Sequence, residues 1–137
     1  MGILLLTAVC AYGYKVTNVT IGIDDTPSLY YFEEGLIAIV GRWVLFLLNK
    51  VIFLAEFVTD FIAVGLLVLA AIVWTVLFYS VLGEKIPVVG YAFFAAIFVS
   101  SPLISEVFTY FLHNGIAIGY LCCGLSLCCV REWQGSI

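Results

Sequence analysis

"FIAVGLLVLAAIVWTVLFYSVL", residues 61–82, decides the fold. No side chain in it carries a charge. At 1.5 Å rise per residue a helix of this length covers about 33 Å, slightly more than the roughly 30 Å hydrocarbon core of a bilayer. A surface helix of a soluble protein would show a charged face opposite its apolar one. This stretch has no such face, and it reads as a membrane span.

The rest of the chain agrees. Of its 137 residues, 65% are hydrophobic and only 10% are charged, against about 25% charged in ordinary soluble domains. A soluble chain this small has too much surface for its volume to hide so much apolar area. Net charge is −4, with only five lysines and arginines. No basic patch exists to neutralise phosphates, which excludes nucleic acid as a partner.

Working outward toward the C-terminus, "GEKIP" (83–87) is a tight polar turn. Gly83 suits a helix stop and Pro87 a helix start. A second long apolar stretch covers 87–112, "HNG" (113–115) interrupts it, and a last apolar helix covers 116–130 up to Arg131. That last helix is short, about 22 Å.

Toward the N-terminus, residues 34–60 read as an amphipathic helix. On a wheel of 100° per residue, Arg42, Asn49, Glu56 and Asp60 share one narrow face with Glu34, while Lys50 stands apart. Leu36, Ile37, Val40, Val44, Leu47, Val51 and Leu54 form the opposite, apolar side. Two arrangements satisfy such a stripe. The helix lies flat with its polar face among headgroups, or it packs in protein with the stripe toward a partner helix or a lumen. Interfacial anchors are rich in Lys and Arg. The acids Glu56 and Asp60 therefore favour the second arrangement. Residues 1–33 form an N-terminal segment. Its first fourteen residues are apolar but too short to span. "KVTNVTIGI" (15–23) alternates and is β-branched, the character of a short extended ribbon.

The predicted architecture is a single all-α integral membrane domain over 1–137. It is a helical hairpin or small bundle of three to four hydrophobic helices with a short polar, extended N-terminal segment. A second polar stripe lies within 87–113, where Pro102, Ser105, Glu106, Thr109 and His113 fall within about 100° of arc. Glu106 stands out. A carboxyl inside an apolar helix must be paired, protonated or wetted, and Arg42 or Lys50 is the expected cation. Gly115, Gly119 and Cys123 form a small-residue ridge that permits close helix packing.

Five cysteines are present. Cys122, Cys123, Cys128 and Cys129 sit in "CCGLSLCC" at the end of an apolar helix, not on the paired turns that zinc requires. They read as packing residues, with lipidation beside Arg131 as the alternative. No metal, and no cofactor other than bound lipid, is expected. No nucleophile–base pair, phosphate loop or metal cluster is visible. The expectation is therefore a non-enzymatic, multi-pass structural subunit of a larger membrane or lipid-containing assembly, of pilin, virion-membrane or accessory type. It would pack through the stripes and the ridge, as a homo-oligomer or within a complex. The alternative is an oligomeric ion- or proton-conducting pore or transporter component lined by the same stripes. If each long helix crosses, Lys85 and Arg131 fall on one side, which the positive-inside rule makes cytoplasmic.

Overall fold

The computed structural model describes residues 2–18, 59–107 and 115–135. These form an all-α bundle with no strand among them. Helix α1 is Gly2–Thr17, α2 is Asp60–Leu82, α3 is Val88–Ser100, α4 is Pro102–Val107 and α5 is Ile116–Gly135. Among the described residues, three stretches are long and apolar enough to cross a bilayer: Asp60–Lys85, Val88–Glu106 and Ile116–Trp133.

Helix α2 is the central element and packs against α1, α3 and α5. Its buried positions are Ala63, Leu67, Val68, Ala70 and Ala71. Spaced at three and four, they form one ridge of mostly small side chains, which lets neighbouring backbones come close. The hydroxyls on these helices are satisfied internally, as lipid demands. Thr75 Oγ1 donates to the Ala71 carbonyl at 2.6 Å, Ser100 Oγ to that of Ala96 at 2.8 Å, and Ser126 Oγ to that of Cys122 at 2.8 Å.

The turn between α2 and α3 is a single 3₁₀ turn, Gly83–Lys85. Gly83 caps α2 at φ 59°, a conformation that a Cβ disfavours, and its N–H donates to the Tyr79 carbonyl. Tyr91 Oη donates to the Gly83 carbonyl at 2.7 Å, tying the turn to the first coil of α3. The hairpin makes α2 and α3 antiparallel. Helix α5 runs parallel to α2: Tyr120 lies beside Trp74 and Arg131 beside Ser80.

Four features depart from the sequence reading. First, α1 continues through Thr17, so residues 15–17 are helical; the rest of the alternating stretch lies outside the described residues. Leu4, Ala8 and Tyr12, spaced by four, bury one face of α1 in the core. Burial of that face outweighs the weak strand preference of Val16 and Thr17. Second, Asp60 does not end an amphipathic helix. Thr59 is extended (φ −63°, ψ 149°), and α2 starts afresh at Asp60. Third, the apolar stretch from 87 breaks at Ser101, because Pro102 has no N–H to continue the ladder. Fourth, α5 runs to Gly135, longer than the stretch that ends before Arg131.

The small-residue ridge also falls elsewhere. Gly119 and Cys123 are exposed, and a Cβ on Gly119 would meet nothing within 4 Å. Close approach occurs at Gly124, where a Cβ would come within 2.9 Å of Val73 Cγ1 and 3.2 Å of Trp74 Nε1. Ala117 and Gly124 lie seven positions apart on one face, rotated by more than about 100° from Gly119 and Cys123. Gly115 is buried at the turn that precedes α5.

Candidate functional site at the polar end of the bundle

Helix polarity brings four backbone ends together. The C-terminus of α1, the N-terminus of α2, the C-terminus of α3 and the start of α4 lie at the end opposite the Gly83–Lys85 turn. Lys15, in the last turn of α1, meets Asp60, in the first turn of α2, with Nζ 3.4 Å from Oδ1. The two side chains are 11% and 14% exposed. Each charge also suits its own helix. A cation belongs at a helix C-terminus and an anion at an N-terminus, because of the unpaired carbonyls and amides there. Nothing in the local sequence announces this pair, since its members stand in different segments. The signal was the placement of each charge at an apolar helix terminus.

An apolar groove of about 500 Å³ runs between α1 and α2. Leu5, Val9 and Gly13 line its α1 wall, and Phe61, Gly65 and Leu69 its α2 wall. Val16, Thr17 and Phe61 bring it alongside the Lys15–Asp60 pair. Its volume lies in the range of ligand-holding clefts.

Of the second stripe, α4 carries Ser105 and Glu106. Ser105 is half-buried, its Oγ donating to the Pro102 carbonyl at 2.9 Å. Glu106 is exposed, and among the described residues it has no ion-pair partner. Its carboxylate faces outward, and the cations expected to clamp it, Arg42 and Lys50, lie outside the described residues. The kink at Pro102 turns α4 away from the axis of α3. Thr109 and His113 lie outside the described residues, as do Arg42, Asn49, Lys50 and Glu56. Asp60 alone of the first stripe is described, and it faces α1. Cys122, Cys123 and Cys129 are exposed and Cys128 is half-buried, all as free thiols. Among the described residues no cluster of three metal-ligating side chains occurs.

The polar end thus offers two carboxylates, one ammonium and an apolar groove. Such a set can accept a proton from a hydroxyl, hold charge and seat an apolar chain. The family model described as Glucosyl transferase GtrII matches residues 13–131. The chain belongs to this family. The matched range takes in Lys15, Asp60 and Glu106, all of α2, α3 and α4, and most of α5. Comparison with curated proteins and with solved structures gave no match.

Membership overturns the expectation of a non-enzymatic protein, since the family is one of glucosyl transferases. The physical reason for the misreading is that glucosyl transfer needs no locally spaced motif. Carboxylates and hydroxyls brought together from distant segments suffice. The membrane setting stands: three apolar helices and the family agree on it.

Proposed function

We propose that the protein is a multi-pass membrane glucosyl transferase, or the membrane part of one, with its reacting groups at the polar end of the bundle. The family match over 13–131 carries the reaction class. Glu106, exposed on α4 just past the end of α3, supports the place. In this reading α2, the α3–α4 pair and α5 each cross the bilayer. Lys85 and Arg131 lie at the hairpin end and face the cytoplasm. The polar end then faces the opposite side.

In the transfer, the anomeric C–O bond to the donor's leaving group breaks, and the leaving group keeps the electron pair. A new C–O bond forms to an acceptor hydroxyl, whose proton passes to a carboxylate. Among the described residues of this end, Glu106 is the exposed acid available for that proton, whereas Asp60 is engaged by Lys15. A base so placed contributes about 10²–10⁴ in rate. The groove between α1 and α2 supports a lipid-tailed glucosyl donor. From Leu5 to Thr17 it follows α1 for about 18 Å, a length that an extended hydrocarbon tail fills. A tail held there lets the donor arrive through the bilayer with its sugar at the polar end.

The test is transfer of radiolabelled glucose from a lipid-linked donor in membranes carrying the full chain. The expected result is chain-dependent transfer that Glu106→Gln lowers by a factor of about 100 or more. Transfer that is absent from the parent chain, or equal in parent and variant, refutes the assignment.

The reading of the stripes as a pore lining gains no support from the described part of the first stripe. Asp60 is turned to a helix, not to a lumen.

A further inference from the structure

An α-helix ends with four carbonyls that lack intrahelical donors. In α3 the end is imposed by sequence. Pro102 brings no N–H, and the residue before a proline is pressed out of the helical region; Ser101 accordingly takes φ −55°, ψ 128°. In an uninterrupted helix the Val99 carbonyl would accept from the N–H four residues on. Here it accepts from the hydroxyl of Tyr12, at 2.8 Å. The contact is deeply buried, with Tyr12 2% and Val99 0% exposed.

Beyond the bend the chain re-forms a helix. The Ser105 N–H donates to the Ser101 carbonyl at 2.9 Å, and Ile104 is buried as the anchor of α4. Glu106 follows two residues later and is exposed. The direction in which α4 leaves, and so the place of Glu106, is set at Ser101. The side chain that pins the bend comes from α1. A phenylalanine at position 12 would fill nearly the same space. The hydroxyl adds a donor for a carbonyl that the bend has released.

We infer that Tyr12 is a positioning residue for glucosyl transfer. Through the Val99 carbonyl it holds the α3–α4 bend at the angle that presents Glu106 to the acceptor. The inference rests on the reading of Glu106 given above.

Tyr12→Phe in the full chain, in its membranes, tests it. Turnover should fall about tenfold while the KM for the donor stays within about twofold, because a misplaced base slows the step without weakening donor binding. Hydrogen exchange at the amides of 103–107 should quicken at least tenfold, and exchange across 83–92 should not change. Combining Tyr12→Phe with Glu106→Gln should add no further loss, since the two act through one group. Faster exchange with unchanged turnover would show that the bend positions nothing that reacts, and would overturn the inference. So would unchanged exchange, a uniform rise over the whole bundle, or losses that add in the double variant. If Glu106→Gln alone leaves turnover unchanged, the assignment of the base fails, and the role given to Tyr12 fails with it. A silent Tyr12→Phe beside an impaired Glu106→Gln refutes only Tyr12.

Discussion

From the middle of the bundle toward the hairpin end, α2 meets its neighbours through aromatic edges and a close backbone approach. At the opposite end it meets α1 through an ion pair, while α1 meets α3 through a hydroxyl. The first set is a continuous chain of rings. Trp74, Phe78, Phe94, Phe98 and Tyr120 follow one another with centroids 6.3, 4.6, 6.0 and 5.7 Å apart. It closes on itself, since Trp74 Nε1 donates to the Tyr120 carbonyl at 3.0 Å. These contacts are many, individually small and largely interchangeable. The second set consists of a few specific polar ties, Lys15 to Asp60 and Tyr12 to Val99. Each is sensitive to the loss of a single atom. A bundle in lipid can hold together by packing alone; the buried ties of Lys15 to Asp60 and of Tyr12 to Val99 add fixed geometry where α1 meets α2 and α3.

The largest effect should come from breaking the ion pair. Asp60→Asn removes the charge facing a Lys15 ammonium that is only 11% exposed. Leaving one member of a buried pair uncompensated costs about 3–5 kcal/mol. Thermal unfolding in mild detergent should register that loss, and Lys15→Met should restore part of it in the double variant. A loss below about 1 kcal/mol would mean that the pair is solvated in the membrane, and the contrast between the two ends would vanish.

Next comes Gly124→Ala at the packed interface. The new methyl would lie 2.9 Å from Val73 Cγ1, and a β-branched side chain has little freedom to move aside. Overpacking of this kind costs about 1–3 kcal/mol. The same change at Gly119, where a Cβ meets open space, should cost nothing and may be compared directly in the same unfolding assay. Equal losses at the two glycines would return the packing ridge to the Gly119 face.

These two glycines show where sequence reading stops. The membrane class and the hairpin at Gly83 were legible, because each follows from composition or from the backbone limits of one residue. The choice between Gly119 and Gly124 was not. Both lie in one apolar helix, and nothing within that helix says which face its neighbour covers. The Lys15–Asp60 pair was hidden for a similar reason. Asp60 shares a wheel position with Arg42, Asn49 and Glu56 only if one helix runs through Thr59, and the extended Thr59 ends that phase. Glu106 was singled out as the acid to watch, but as a buried group. The turn of α4 after Pro102 puts it outside. The enzymatic class was illegible because no locally spaced motif announces it.

A smaller effect separates ring stacking from hydrogen bonding at the hairpin end. Trp74→Phe keeps an aromatic edge toward Phe78 but loses the N–H that reaches the Tyr120 carbonyl. A neutral hydrogen bond contributes about 0.5–1.5 kcal/mol. The Tyr120 carbonyl lies in mid-helix with its own ladder donor, so no buried group is orphaned. The loss should therefore stay near 1 kcal/mol, and it should not add fully to that of Gly124→Ala. The methyl of the latter intrudes 3.2 Å from the same indole nitrogen, and neighbouring substitutions that share a contact are non-additive. Full additivity would place the indole away from Gly124.

The smallest effect is expected at Ser80. Arg131 reaches it from α5 with both terminal nitrogens. Nη1 donates to Ser80 Oγ at 2.6 Å, and Nη2 donates to the Ser80 carbonyl. Both residues are exposed. Ser80→Ala removes the hydroxyl and leaves the carbonyl contact, which no side-chain substitution at position 80 can delete. The hydroxyl also returns its own proton to the Leu77 carbonyl, a local bond that competes with helix geometry and adds little to stability. An exposed substitution of this kind changes stability by about 0.5 kcal/mol or less. Arg131→Ala, by contrast, removes both donors, and it should exceed Ser80→Ala in the same unfolding measurement. If Ser80→Ala instead matches the loss from Asp60→Asn, the hairpin end too depends on one polar atom. The division into a packed end and a tied end would then be wrong.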